Sequence, residues 1–250
     1  MVNGKELSGT IQAMLPEIRV RFRGAVPPSQ TQTAIVPVNI APSFNMGIAE
    51  AALDVDLRGA KSGKVIAPFD LGTASGKSAI IVGVDGAEKT GLPKEVVGIK
   101  VGEDATSLIF LHASARPATN KEMFRLLWDM EDTADLLGWY EVVYEDGFVT
   151  TIPIRYGVNI AEWSWDKRQS EKDYCYSADA VPVGGSPDNP ITFFAFEWTN
   201  PRMGKVINEV RLKGTTGFRG GDPDFTNDYG PVLTKNAVIL KAISLVKKRG

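Results

Sequence analysis

The feature that most constrains this chain is a long succession of short apolar runs, several of them separated by turns of two to five residues carrying Gly, Asp or Pro. From Ala41 onward these runs are KVIAPFDL, SAIIVGVD, VVGIKVG, SLIFLHAS, GWYEVVYEDG, FVTTIPIRYG, ITFFAFEW, KVINEVRLKG and AVILKAISLV. Each is rich in β-branched and aromatic residues and too short for a buried helix, so each reads as a strand. Upstream, EIRVRFRGAV alternates Ile18, Val20 and Phe22 with arginines in the manner of a half-exposed strand. TQTAIVPVNIAP is extended and broken by proline, so it is either an edge strand or a linker.

The clearest pairing is YEVVYEDGFVTTIPI, in which Asp146-Gly147 sits between two alternating runs as a hairpin turn. One stretch departs from the strand pattern. ATNKEMFRLLWDMEDTADLLG spaces Phe124, Leu127, Trp128, Glu131 and Ala134 helically, with Asn120 as a cap and Gly138 as a stop. A single helix among roughly ten strands predicts an antiparallel β-sandwich with one helical insertion.

GTASGKS, Gly72 to Ser78, ends like a phosphate-binding loop. Such a loop needs four residues between its first glycine and Gly-Lys-Ser, and this one has three. It also needs a helix to follow, whereas AIIVGVD is strand-like. The stretch therefore reads as a hairpin turn.

With 250 residues, 43 % apolar, the chain can build a substantial core. A net charge of −2 argues against nucleic acid as a partner. No apolar run is long enough for a membrane-spanning helix. The single cysteine, Cys175, excludes an intrachain disulfide, and the single histidine, His112, excludes a multi-histidine metal site. His112 closes an apolar strand and is expected to be buried and hydrogen-bonded to backbone.

Three constellations could carry chemistry. Glu162 and Glu197 are the carboxylates to test for a glycosidase pair, which must face one another across a cleft. Asp222, Asp224, Asn227 and Asp228 crowd one turn and could hold a structural calcium, though a solvated acidic loop is the favoured reading. Trp163 and Trp165 in NIAEWSWDKR lie two apart, as do Tyr174 and Tyr176 in DYCYS, so each pair shares a face if extended. With Asp166 and Arg168 beside them these rings suit a sugar, whose C–H face stacks while its hydroxyls are hydrogen-bonded. The competing reading makes the rings part of the core.

The segments SLIFLHASA, LLGWYEVVYEDGFVTTIPIRYGVNIAEWSW, FFAFEWTNPRMGKVINEVRLKG and AVILKAISLV resemble the galactose-binding-like β-sandwich domains attached to large bacterial glycoside hydrolases. APSFNMG, DLRG, IAPFDL and LPKEVVGIKVG extend the likeness over about Asn39 to Val246. The resemblance implies a jelly roll over 39–250, with 1–38 an arm or the remnant of a preceding β domain. It further implies a non-catalytic carbohydrate-binding accessory module with a polysaccharide or oligosaccharide ligand. Its partner would be the catalytic domain of a secreted or periplasmic parent enzyme. A glycosidase and a purely structural interdomain module are the alternatives.

Overall fold

The protein is represented by a computed structural model that describes residues 33–47, 67, 69–71, 76–84, 91–115, 136–163, 175, 177–186, 189–215 and 237–248. Its strands are β1 (Thr33–Val38), β2 (Ile80–Gly83), β3 (Glu95–Glu103), β4 (Ser107–Ser114), β5 (Leu136–Tyr144), β6 (Val149–Arg155), β7 (Ala178–Ser186), β8 (Asn189–Thr199), β9 (Ile207–Gly214) and β10 (Ala237–Lys248). One 3₁₀ turn, Ala41–Ser43, follows β1. All ladders between these strands are antiparallel. They form a six-stranded sheet in the order β1-β10-β4-β8-β7, with β2 also paired to β10, and a four-stranded sheet in the order β3-β9-β5-β6.

The two sheets pack face to face as the predicted sandwich. Their shared core includes Phe110, Leu108 and Phe194 from the larger sheet and Tyr140, Tyr144, Ile99 and Ile154 from the smaller. Phe110 and Tyr140 stack at 4.2 Å between ring centres, joining the sheets at the middle. The larger sheet also buries its outer face, where Phe193, Ile239, Ile81 and Leu111 are fully inaccessible. This is why SLIFLHAS and AVILKAISLV are continuous apolar runs: neither face of β4 or β10 meets water. The smaller sheet alternates instead, with Ile152 and Ile154 buried in β6 while Val149, Thr151 and Pro153 face outward.

β1 supplies the edge strand that the sequence left open against a linker, pairing with β10 from Thr33↔Lys248 to Val38↔Ile243. The sandwich thus takes in residues from Thr33, ahead of the boundary at residue 39. β1 and β2 occupy the same edge of β10 in succession, β2 starting at Ile80↔Leu240. Between them the register of β10 shifts at Lys241. The buried Lys241 ammonium fills this break, donating to the Ser78 carbonyl at 2.6 Å above the Phe44 ring. Burial lowers its pKa to about 8, against the opposing pull of Asp70.

One reading of a glycine changes. Leu136–Gly138 open strand β5 and do not end a helix, and the rest of the proposed helix, residues 118–135, lies outside the described residues. Gly138 is needed because a Cβ there would overlap the Lys213 carbonyl of the neighbouring strand. Gly214 is constrained more tightly still, its missing Cβ pointing at the Gly83 carbonyl where β9 of one sheet touches β2 of the other. The Asp146-Gly147 hairpin stands as read: Gly147 has φ +81°, and the Tyr144 amide donates to the Phe148 carbonyl across a three-residue loop.

Gly76, Lys77 and Ser78 form a bend that leads through the Met46↔Ala79 bridge into β2. A strand stands where a phosphate site requires a helix. Residues 72–75 lie outside the described residues; of their described neighbours, Ala67 and Phe69–Leu71 carry no ladder, and β2 pairs with β10. EIRVRFRGAV lies outside the described residues.

Candidate functional site

The segment Tyr156–Trp163 lies across one end of the sandwich and wedges into the larger sheet. The β4–β8 ladder ends at His112↔Phe194, after which the two strands part. Into the opening comes Ala161–Trp163. Ser114 donates its amide to Ala161 at 2.8 Å, Trp163 donates to Ser114 at 3.0 Å, and Thr192 donates to Trp163 at 2.8 Å. The Trp163 backbone is therefore held from both sides. Its indole is half-buried against the outer core of the larger sheet, while Glu162 turns inward.

The inward residues form two buried hydrogen-bonded groups. The Glu162 carboxylate accepts from the Tyr156 hydroxyl. His112 bridges the sheets, with Nε2 at 2.7 Å from the Asn159 carbonyl and Nδ1 at 2.8 Å from the Tyr140 hydroxyl. A carbonyl only accepts, so Nε2–H donates to Asn159 and Nδ1 accepts from Tyr140. Burial drives the His112 pKa down to about 4, the Asn159 carbonyl opposing, and it raises that of Tyr140. The expected buried, backbone-bonded histidine is thus present. Asn159 also closes its own turn, its side chain accepting from the Arg155 amide and donating to the Pro153 carbonyl.

A second bolt joins the sheets at the other end. The Tyr144 hydroxyl donates to Asn200 Oδ1 at 2.6 Å, and Asn200 Nδ2 donates to the Ala105 carbonyl. Nearby, Arg202 lies over both Tyr144 and Phe148 and makes two hydrogen bonds to Asp146. That pairing holds the Asp146 carboxyl down at about 2. The FLH strand, the GWYEVVYEDG hairpin, the YGVNIAEW segment and the WTNP turn thus each contribute a hydrogen bond that ties the sandwich together. Every buried side-chain polar atom among the described residues has a partner.

The structure separates the two carboxylates expected of a glycosidase pair. Glu197 pairs with Ile109 in the middle of the larger sheet and shares its outer face with Phe193 and Ala195. Glu162 lies beyond the end of that ladder, beside Ser114, and faces inward. Five residues of extended strand, roughly 16 Å, and the sheet itself stand between them, too much for a shared substrate bond.

Among the expected sugar-binding residues only Trp163 is described. Trp165, Asp166, Arg168, Tyr174 and Tyr176 lie outside the described residues, as do Asp222, Asp224, Asn227 and Asp228.

One exposed feature was missed by the sequence reading. Along β5, Tyr140, Val142 and Tyr144 point into the core, so Trp139, Glu141 and Val143 point to water. The Trp139 indole is half-buried between Lys213 and Pro153 on the flanking strands, and its N–H reaches Glu141 Oε1 at 3.3 Å. Strict alternation through GWYEVVY carried this signal.

No protein-family model matches the chain, and no curated protein matches it.

Proposed function

We propose that this chain is a non-catalytic carbohydrate-binding β-sandwich module, of the galactose-binding-like kind, serving a polysaccharide-degrading enzyme. The observation that carries the proposal is the half-buried Trp163 indole, whose backbone is hydrogen-bonded to both Ser114 and Thr192. A ring fixed in this way loses little freedom when a sugar stacks on it, so most of the contact energy is retained as affinity. The inward groups are buried and hydrogen-bonded in pairs, His112 with Tyr140 and Tyr156 with Glu162, which suits a rigid support for the ring.

The test is Trp163→Ala, scored by melting temperature and by retardation in gels containing soluble polysaccharide. Loss of a stacking ring should weaken retention roughly ten- to a hundredfold at near-native stability. A large drop in melting temperature, with no glycan retained by the wild type, would show the ring to be core and remove the proposal.

A rival reading as an interdomain packing module draws on the loops at the far end. Phe148 and Met203 are 52 % and 57 % exposed there, around Arg202. Aromatic, Met and Arg side chains are those enriched at protein interfaces. A Phe148→Asp, Met203→Lys double variant that detaches the chain from its parent catalytic domain, while glycan retention is absent, would favour this reading.

A further inference from the structure

We propose that the solvent face of the four-stranded sheet is a second glycan surface, one that takes an uncharged, extended oligosaccharide laid across the strands over Trp139. The proposal rests on the carbohydrate-binding reading above and adds a site that is separate from Trp163. Trp163 packs on the outer side of the six-stranded sheet, and Trp139 stands on the outer side of the other sheet. The two rings therefore face away from each other across the whole sandwich.

The outward residues of the small sheet fall into rows across the strands. Glu95, Lys213, Trp139 and Pro153 form one row, one residue from each of the four strands. Arg211, Glu141 and Thr151 form the next, and Lys100, Glu209, Val143 and Val149 the third. Neighbouring positions in a row are separated by the interstrand distance, about 4.8 Å. That is close to the length of one sugar unit in an extended glycan, so a chain crossing the strands would set successive sugars over successive side chains.

The charges on this face select for a neutral ligand. Lys213 bonds Glu141 at 2.9 Å and Glu95 at 3.5 Å, Arg211 reaches Glu209 at 2.8 Å and Glu141 at 3.6 Å, and Lys100 reaches Glu209 at 3.6 Å. Three carboxylates and three cations thus pair in one zigzag, leaving no surplus charge within it. The same groups still present alternating acceptors and donors, because a carboxylate has about four acceptor sites, an ammonium three donors and a guanidinium five. Alternating donors and acceptors beside a ring match the hydroxyls and C–H face of a sugar. The support is rigid: Tyr140, Val142 and Leu212, directly beneath, are fully buried.

Two rings on opposite faces make the module bivalent, so one copy could hold two chains or two parts of one chain. The experiment is calorimetric titration of the whole chain with neutral β-1,4-linked hexasaccharides of glucose, mannose, xylose and galactose, beside polygalacturonate as an anionic control. The wild type should bind one of the neutral series at two sites per chain, and polygalacturonate should compete for neither. Trp139→Ala should remove one site, weakening it roughly ten- to a hundredfold, and leave the Trp163 site intact. Trp139→Phe should restore it in part. Glu141→Gln, which keeps the ring, should weaken the same site without touching the other, and serves if Trp139→Ala fails to fold. Binding at a single site indifferent to Trp139→Ala and Glu141→Gln would overturn the second surface and leave the Trp163 site standing. Absence of neutral-glycan binding by the wild type would overturn both.

Discussion

The two sheets of this sandwich have the same antiparallel geometry and live in different surroundings. In the six-stranded sheet the strands β2 and β4 are buried on both faces, as is β10 from Ala237 to Val246. The four-stranded sheet is buried on one face, with a net-neutral lattice of ion pairs on the other. The difference teaches where substitutions should be costly and where they should be free. The larger sheet provides the rigid frame. The smaller one offers a surface that can change without unfolding the chain.

The sharpest break should come where the sheets touch. Gly214→Val would drive its side chain into the Gly83 backbone carbonyl, which is held in its sheet and cannot swing aside as a flexible side chain would. We expect a loss of more than about 4 kcal/mol, read as failure to give a cooperative unfolding transition. Gly204 is a control with open space around it; at φ +87°, Gly204→Ala should cost only about 1 kcal/mol of backbone strain.

The bolt between the sheets predicts a pH dependence. The folded His112 pKa, about 4, lies below its unfolded value, so between about pH 6.5 and 4 the unfolded chain binds the extra proton. Stability from this group is full above pH 6.5 and is lost as pH falls through that window, by about 3 kcal/mol in all. Urea midpoints measured from pH 7 to pH 4 should show the loss in wild type, and His112→Gln should flatten it. An equal slope in both proteins would mean that His112 is not held neutral.

Lys241 acts in the same direction in a higher pH window. Its folded pKa, about 8, lies below the unfolded 10.5, so the unfolded chain holds more protons between those values and stability should rise with pH across them. The wild type should gain on Lys241→Met over pH 8 to 10.5, by an amount comparable to the histidine effect less what the Phe44 ring gives the charged form. A constant difference between the two proteins across that range would contradict this.

The smallest effect should fall on the wet face. Burial opposes ionisation of Glu141, but hydrogen bonds from Lys213 and Trp139 and the charge of Arg211 together lower its pKa. Because these pairs are partly exposed, Glu141→Gln should change stability by no more than about 1 kcal/mol, less in high salt. A larger loss would place this lattice among the supports of the fold.

How much of this was legible in the sequence follows the same divide. β4 and β10 were readable because burial on both faces leaves an unbroken apolar run, and β5–β6 because alternation and Asp146-Gly147 agree. β7 was not, since Pro182, Gly184 and Gly185 read as a loop and pairing with β8 overrides that local preference. Gly138 was misread for a tertiary reason: nothing local shows that the Lys213 carbonyl will occupy the space of its side chain. The separation of Glu162 from Glu197 was equally hidden, because it depends on which side of a sheet each residue faces. Trp139 was legible and passed over, its outward direction fixed by the buried Tyr140 next to it and the alternation that continues through Val142.

The contrast between the two sheets is tested most directly by one paired measurement, urea unfolding of Phe193→Ala and Trp139→Ala beside the wild type. Phe193 lies on the outer face of the larger sheet and is fully buried, so its truncation should cost about 3 to 5 kcal/mol. Trp139 lies on the outer face of the smaller sheet, and its loss should cost no more than about 1 kcal/mol. Equal losses would contradict the account, for the two outer faces would then be buried alike and the small sheet would have no surface to offer a ligand.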